Sequence, residues 1–131
     1  LKRARHRLAL LEAAISGSPK FFLGTDSAPH AAHLKEHASA CAGCYSAPHA
    51  LALYAGVFSA ASALDRWAGF AWSNGAAFYG LEANRRKIRL VRQDCLIPDQ
   101  LPFGAGQKIV PLASGETVSW RFDGFITDDA V

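Results

Sequence analysis

The sequence predicts an α/β fold, and three features carry that expectation. They are an amphipathic helix signal over residues 3–16, a short apolar run at 21–23 without alternation, and strand character after residue 87. In the first, Leu8, Leu11 and Ile15 recur at three- and four-residue spacing, and Leu10 and Ala14 widen the stripe, as in a helix with one face on a core. Gly17 offers a C-terminal stop, and Pro19 blocks resumption. The run Phe21-Phe22-Leu23 then reads as a strand buried on both faces, as in a parallel sheet. Helix, tight connection and buried strand in succession are α/β grammar.

From Ser27 to about Tyr45 small residues dominate and periodicity fades, so a long functional loop is expected. Ser46 offers an N-cap, with Pro48 in the first turn of a helix reaching about residue 63. Leu51, Tyr54, Phe58 and Ala61 form one stripe, and Leu53 and Val57 a neighbouring face. A helix this apolar should be covered on most sides. Asp65 is expected to cap a short helix carrying Trp67 and Phe70, and Asn74 to cap another ending at Gly80. Beyond Lys87, strands are expected around Ile88 and Leu90, at 108–112 and at 117–122, with Ser114-Gly115 as a hairpin turn. The organisation predicted is a main segment 1–86, a β-rich tail 87–122 and an unassigned extension 123–131.

Composition narrows the class. Half of the 131 residues are apolar and 19% are charged, which excludes a disordered chain. No apolar run approaches the ~20 residues of a membrane span, so no membrane partner is expected. Three cysteines, an odd number, do not form a secreted disulfide framework and suit a reducing cytoplasm. The net charge is +3, with basic groups at Lys2, Arg3, Arg5 and Arg7 and at Arg85, Arg86 and Lys87. No aromatic residues interleave with either group, so both read as solvated surface and no nucleic-acid partner is expected. Methionine is absent and Leu1 stands first, as expected of a piece of a longer chain.

The chemistry concentrates between residues 26 and 44. Asp26 follows the apolar run after Gly24 and Thr25. Carboxyl ends of parallel strands gather catalytic groups, but Asp-Ser-Ala-Pro also suits a turn-capping aspartate. His33 and His37 are four apart and Cys41-Ala-Gly-Cys44 is a CxxC pair, so a tetrahedral zinc site or a redox pair is a rival. Inert packing cysteines are a third alternative. His6 and His49 fall on predicted helices, and Cys95 near a strand reads as packing.

The blocks FFLGTDSAPHAAH, CAGCYSAP and NGAAFYGL, in that order and spacing, resemble the C-terminal part of dihydroorotase in its single-function bacterial form, from about residue 1 to Phe122. The resemblance implies an amidohydrolase (β/α)8 TIM barrel, with this chain supplying the last strand and closing helices. It implies reversible cyclisation of N-carbamoyl-L-aspartate to L-dihydroorotate in pyrimidine biosynthesis, with two zinc ions in the full-length enzyme and, as an assembly, a homodimer. By the same resemblance Asp26 is both a zinc ligand and the proton shuttle. His30 and the backbone of Ala42 hold the substrate carboxylate, and Cys41 and Cys44 need bind no metal. The family's His-x-His pair, carboxylated lysine and two later histidines have no counterpart in this sequence, so the chain alone is expected to be inactive.

Overall fold

The computed structural model describes residues 3–126. Helix α1 (Ala4–Ile15) forms where the periodicity places it. None of its residues is fully buried, and Leu8 and Leu10 are about half exposed. Its C-terminal end packs on the aromatic core through Ala14 and Ile15. Gly17 follows at φ +77, the left-handed conformation that closes a helix cheaply when no Cβ is present.

The apolar run at 21–23 departs from expectation, since no strand forms there. A strand needs a neighbour to complete its ladder, and no described strand pairs with this segment. It is anchored to a helix instead: the Leu23 N–H donates to the Phe70 carbonyl at 2.9 Å, and the Asn74 Nδ2 donates to the Phe21 carbonyl at 3.1 Å.

The long loop contains one turn of helix, α2 (Ala32–Lys35). A 3-10 turn, Ala47–His49, with Pro48 inside it, leads into α3 (Ala50–Ala60). Ser46 does not cap this turn; its hydroxyl donates to the Thr25 carbonyl at 3.0 Å. Helix α3 buries Ala50, Ala52, Ala55 and Phe58 but leaves Val57 exposed, so its cover is less complete than its sequence suggested. Nor does Asp65 cap a helix: it lies within a 3-10 turn, Leu64–Arg66. From Trp67 the chain is helical without a break, through a π segment, Gly69–Ser73, into α4 (Asn74–Tyr79). The expected break at Asn74 is absent because its side chain bonds to Phe21 rather than to its own backbone. Gly80, at φ +64, ends the helix as predicted.

The core lies where α3 meets this second helix. Phe58 is fully buried and Ala63 and Phe70 nearly so, with Ala14, Ile15, Leu23, Tyr54, Ala61 and Trp67 around them. The Phe58 ring lies 5.3 Å from Trp67 and 5.1 Å from Phe70, centroid to centroid. These are the tilted and edge-on contacts aromatic rings prefer.

The tail forms three antiparallel two-stranded ribbons: β1 (Lys87–Val91) with β6 (Arg121–Ile126), β2 (Cys95–Leu96) with β5 (Thr117–Val118), and β3 (Leu101–Phe103) with β4 (Gln107–Ile109). Ser114-Gly115 is not a hairpin turn between paired strands, because β4 pairs backward with β3 and β5 with β2. The tight hairpin is at Gly104-Ala105-Gly106, all three at positive φ. Strand β6 crosses residue 122 and pairs Ile126 with Lys87, so residues 123–126 belong to the tail; 127–131 lie outside the described residues. Ile97, directly after β2, and Ile109, the last residue of β4, are fully buried. Among the described residues no helix is long and apolar enough to cross a membrane.

Candidate active site

Leu23 ties the start of residues 24–30 to the aromatic core. From there the segment runs beside residues 43–47, and hydrogen bonds join the two. Ser27 and Cys44 form a parallel bridge, and the Ala28 N–H donates to the Cys44 carbonyl at 2.8 Å. The Ser27 hydroxyl accepts from the N–H groups of Ser46 (3.2 Å) and Ala47 (3.1 Å). Next, Tyr45 bridges to Pro111, and the Leu112 N–H donates to the Tyr45 carbonyl at 2.8 Å. The site edge is thereby coupled to the β-rich tail.

Asp26 stands where this zip begins. Its backbone is left-handed at φ +43, its side chain is exposed, and among the described residues no hydrogen bond or ion pair engages its carboxylate. The turn-cap alternative requires that carboxylate to accept nearby N–H groups, and it accepts none. His30 is half-buried beside fully buried Ala31, and its Nδ1 is enclosed without a protein partner. Ala42 is exposed, and its N–H donates to no protein acceptor among the described residues.

The glycine of the CxxC has a steric role. Gly43 sits at φ +94, and a Cβ there would lie 2.5 Å from the Ala28 Cβ, closer than two carbons can pack. Its absence lets the two segments meet. The rival zinc set is not assembled: among the described residues no three His, Cys, Asp or Glu side chains converge. His33 is exposed, and the His37 Nδ1 accepts the Ser39 N–H at 3.1 Å. Cys41, Cys44 and Cys95 are free thiols. His49, expected on a helix, ends the 3-10 turn with Nε2 buried and unpartnered; burial lowers its pKa below the ordinary 6.5.

Sequence reasoning passed over Ser27, Gly43 and Lys35, the residues that hold the site in shape. Lys35 directs its ammonium to the carbonyls of Cys41 (2.7 Å) and Gly43. Gly43 alone carried a usable signal, a glycine between two half-polar blocks where backbones must approach.

No family model matches the chain. Against curated proteins it is 58% identical over 121 residues to a dihydroorotase of Cupriavidus necator and 60% identical over 121 residues to one of Delftia acidovorans. Each match covers 92% of this chain and 35% of the relative. Among solved structures it superposes on dihydroorotase from Saccharomyces cerevisiae, in complex with 5-fluoroorotic acid, with a TM-score of 0.87 and 35% identity. That superposition covers 94% of this chain and 36% of the yeast chain. The fold is thus that of part of a TIM barrel. By sequence and by fold alike, the chain is similar over nine-tenths of its length to dihydroorotases, and it spans about a third of the length of the curated relatives it matches.

Proposed function

We propose that this chain forms part of the active site of a zinc-dependent dihydroorotase, which interconverts N-carbamoyl-L-aspartate and L-dihydroorotate in pyrimidine synthesis. Residues 1–86 would contribute to the barrel and the ribbons from Lys87 onward would flank it, in a cytoplasmic enzyme that assembles as a homodimer. The observation that carries the reading is Asp26: an exposed, unengaged carboxylate at the start of the zip between 24–30 and 43–47. The relatives at 58% and 60% identity are dihydroorotases, and the yeast neighbour holds a pyrimidine carboxylic acid.

The donor set fits zinc in part. Asp26 offers a hard oxygen donor with no competing partner, but no three donor side chains converge among the described residues. The carboxylate fits one position of a metal site completed from elsewhere. When bound, zinc supplies Lewis acidity toward the ring amide carbonyl. In the hydrolytic direction Asp26 accepts the proton of the attacking water and delivers it to the departing ring nitrogen. His30 and the Ala42 N–H orient the substrate by hydrogen bonds to its carboxylate.

The test is a chimera in which this chain replaces the matching stretch of the Cupriavidus necator enzyme. Asp26→Asn keeps shape and an acceptor oxygen while removing charge and basicity. General acid–base catalysis contributes about 10²–10⁴-fold, so turnover of dihydroorotate should fall by at least that much relative to the unmutated chimera, at matched zinc content and matched folded fraction. Added zinc should not restore it. Retention of more than about a tenth of the turnover would overturn the proton-shuttle role.

A further inference from the structure

We infer that Lys35 is a positioning residue that aims the Ala42 N–H, and with it the substrate-carboxylate pocket; this rests on the reading of Ala42 given above. Lys35 is the last residue of α2 and half-buried. An ammonium has three donors and no acceptor, and two of these go to the carbonyls of Cys41 and Gly43. Those residues flank Ala42 on either side.

Peptide geometry turns this clamp into an orientation device. The Cys41 carbonyl and the Ala42 N–H belong to one rigid, trans peptide unit and point in opposite directions. Drawing the carbonyl toward Lys35 therefore turns the Ala42 N–H away from it, to the side where no protein acceptor takes it. Cys41 is held at its other end as well, since its N–H donates to the Leu34 carbonyl at 3.0 Å. Beyond Gly43, the Cys44 carbonyl is pinned by the Ala28 N–H at 2.8 Å. The Ala42 peptide thus lies within a span fixed on both sides, and the lysine is the one charged group in that framework.

No alternative use of this ammonium is visible. It makes no ion pair with a carboxylate among the described residues, so a simple surface-charge role is not what the geometry records. A hydrogen bond from a charged donor to a carbonyl is among the stronger ones, and two of them, on the peptides either side of the 42–43 link, restrain a loop whose residues 36–40 and 42–44 are exposed.

The experiment uses the same chimera with Lys35→Met, Lys35→Arg and Ala42→Pro. Lys35→Met removes both donors while keeping length and apolar stem. Its KM for dihydroorotate should rise by roughly three- to tenfold, the scale of one misdirected hydrogen bond, with kcat changing much less, since ground-state binding is affected. Lys35→Arg keeps the charge and a fork of donors and should recover most of the loss, which a merely structural role would not require. Ala42→Pro removes the N–H itself and should raise KM at least as much. If Ala42→Pro leaves KM unchanged, the underlying reading of Ala42 fails and the inference with it. If Ala42→Pro raises KM but Lys35→Met does not, the Ala42 reading stands and the clamp is refuted. If Lys35→Met proves insoluble, Lys35→Gln, able to donate to one carbonyl, should show an intermediate KM; a KM equal to that of the unmutated chimera overturns the clamp.

Discussion

The aromatic core and the zipped site edge are neighbours built on opposite principles. Around Phe58 and Phe70 the chain is held by burial and ring contacts, with no polar side chain fully buried among the described residues. Between 24–30 and 41–47 no residue is fully buried and half are exposed, and the shape is fixed by N–H groups, two serine hydroxyls and one ammonium. The division teaches where stability and geometry reside. Damage to the core should unfold the segment, whereas damage to the zip should misplace the site in a protein that stays folded.

The strongest way to break this division is Phe58→Ala in the chimera. Phe58 is fully buried and touches two aromatic rings, so truncation should cost about 3–5 kcal/mol. Chemical denaturation should show the midpoint falling, while KM of the fraction still folded stays near that of the parent. A changed KM with an unmoved midpoint would reverse the assignment of roles.

Gly43→Ala probes the other side. A left-handed alanine costs roughly 1–2 kcal/mol, and the new methyl would overlap Ala28 at 2.5 Å. The expected outcome is a raised KM with a smaller loss of thermal stability than Phe58→Ala produces. Adding Ala28→Gly removes the overlap but not the backbone cost, so KM should recover in part. Full recovery would show that φ +94 at Gly43 is not demanding, and no recovery that the two segments do not meet there.

The smallest effect is expected at His49, which sits between the two regions. Burial lowers its pKa in the folded chain from the ordinary 6.5, so the unfolded chain takes up a proton that the folded chain resists. Its contribution is full above about pH 6.5 and is lost as pH falls toward the folded value. Thermal unfolding at pH 7.5 and 5.5 should therefore show a slightly larger drop for the parent than for His49→Gln. Identical drops would mean that the imidazole is not desolvated.

What was legible in the sequence followed from local signals. The spacing of Leu8, Leu11 and Ile15 marked α1, and Gly80 marked the end of α4, because periodicity and backbone freedom are properties of near neighbours. Where a side chain serves a distant partner, the same logic failed. Asn74 and Ser46 look like caps, yet they bond Phe21 and Thr25, 53 and 21 residues away. The run at 21–23 has strand composition but no described partner to pair with. In the tail, strand segments were visible while pairing was not, because register depends on which turn closes first, and Gly104–Gly106 displaced the expected Ser114-Gly115. At the site, the resemblance to dihydroorotase pointed to Asp26, His30 and Ala42, whereas the lysine and serine that shape the loop bond to backbone carbonyls and amides, which leave no pattern in a sequence.

The left-handed backbone at Asp26 carries a consequence for which residues can ever occupy that position. At φ +43 the main chain accepts glycine, asparagine and aspartate readily and penalises longer or branched residues. The proposed chemistry, independently, needs a carboxylate. Glutamate meets the chemical demand at a larger conformational cost, and asparagine and glycine meet the conformational demand but not the chemical one. Aspartate meets both at the smallest cost, so backbone shape and reactivity favour the same residue by separate routes.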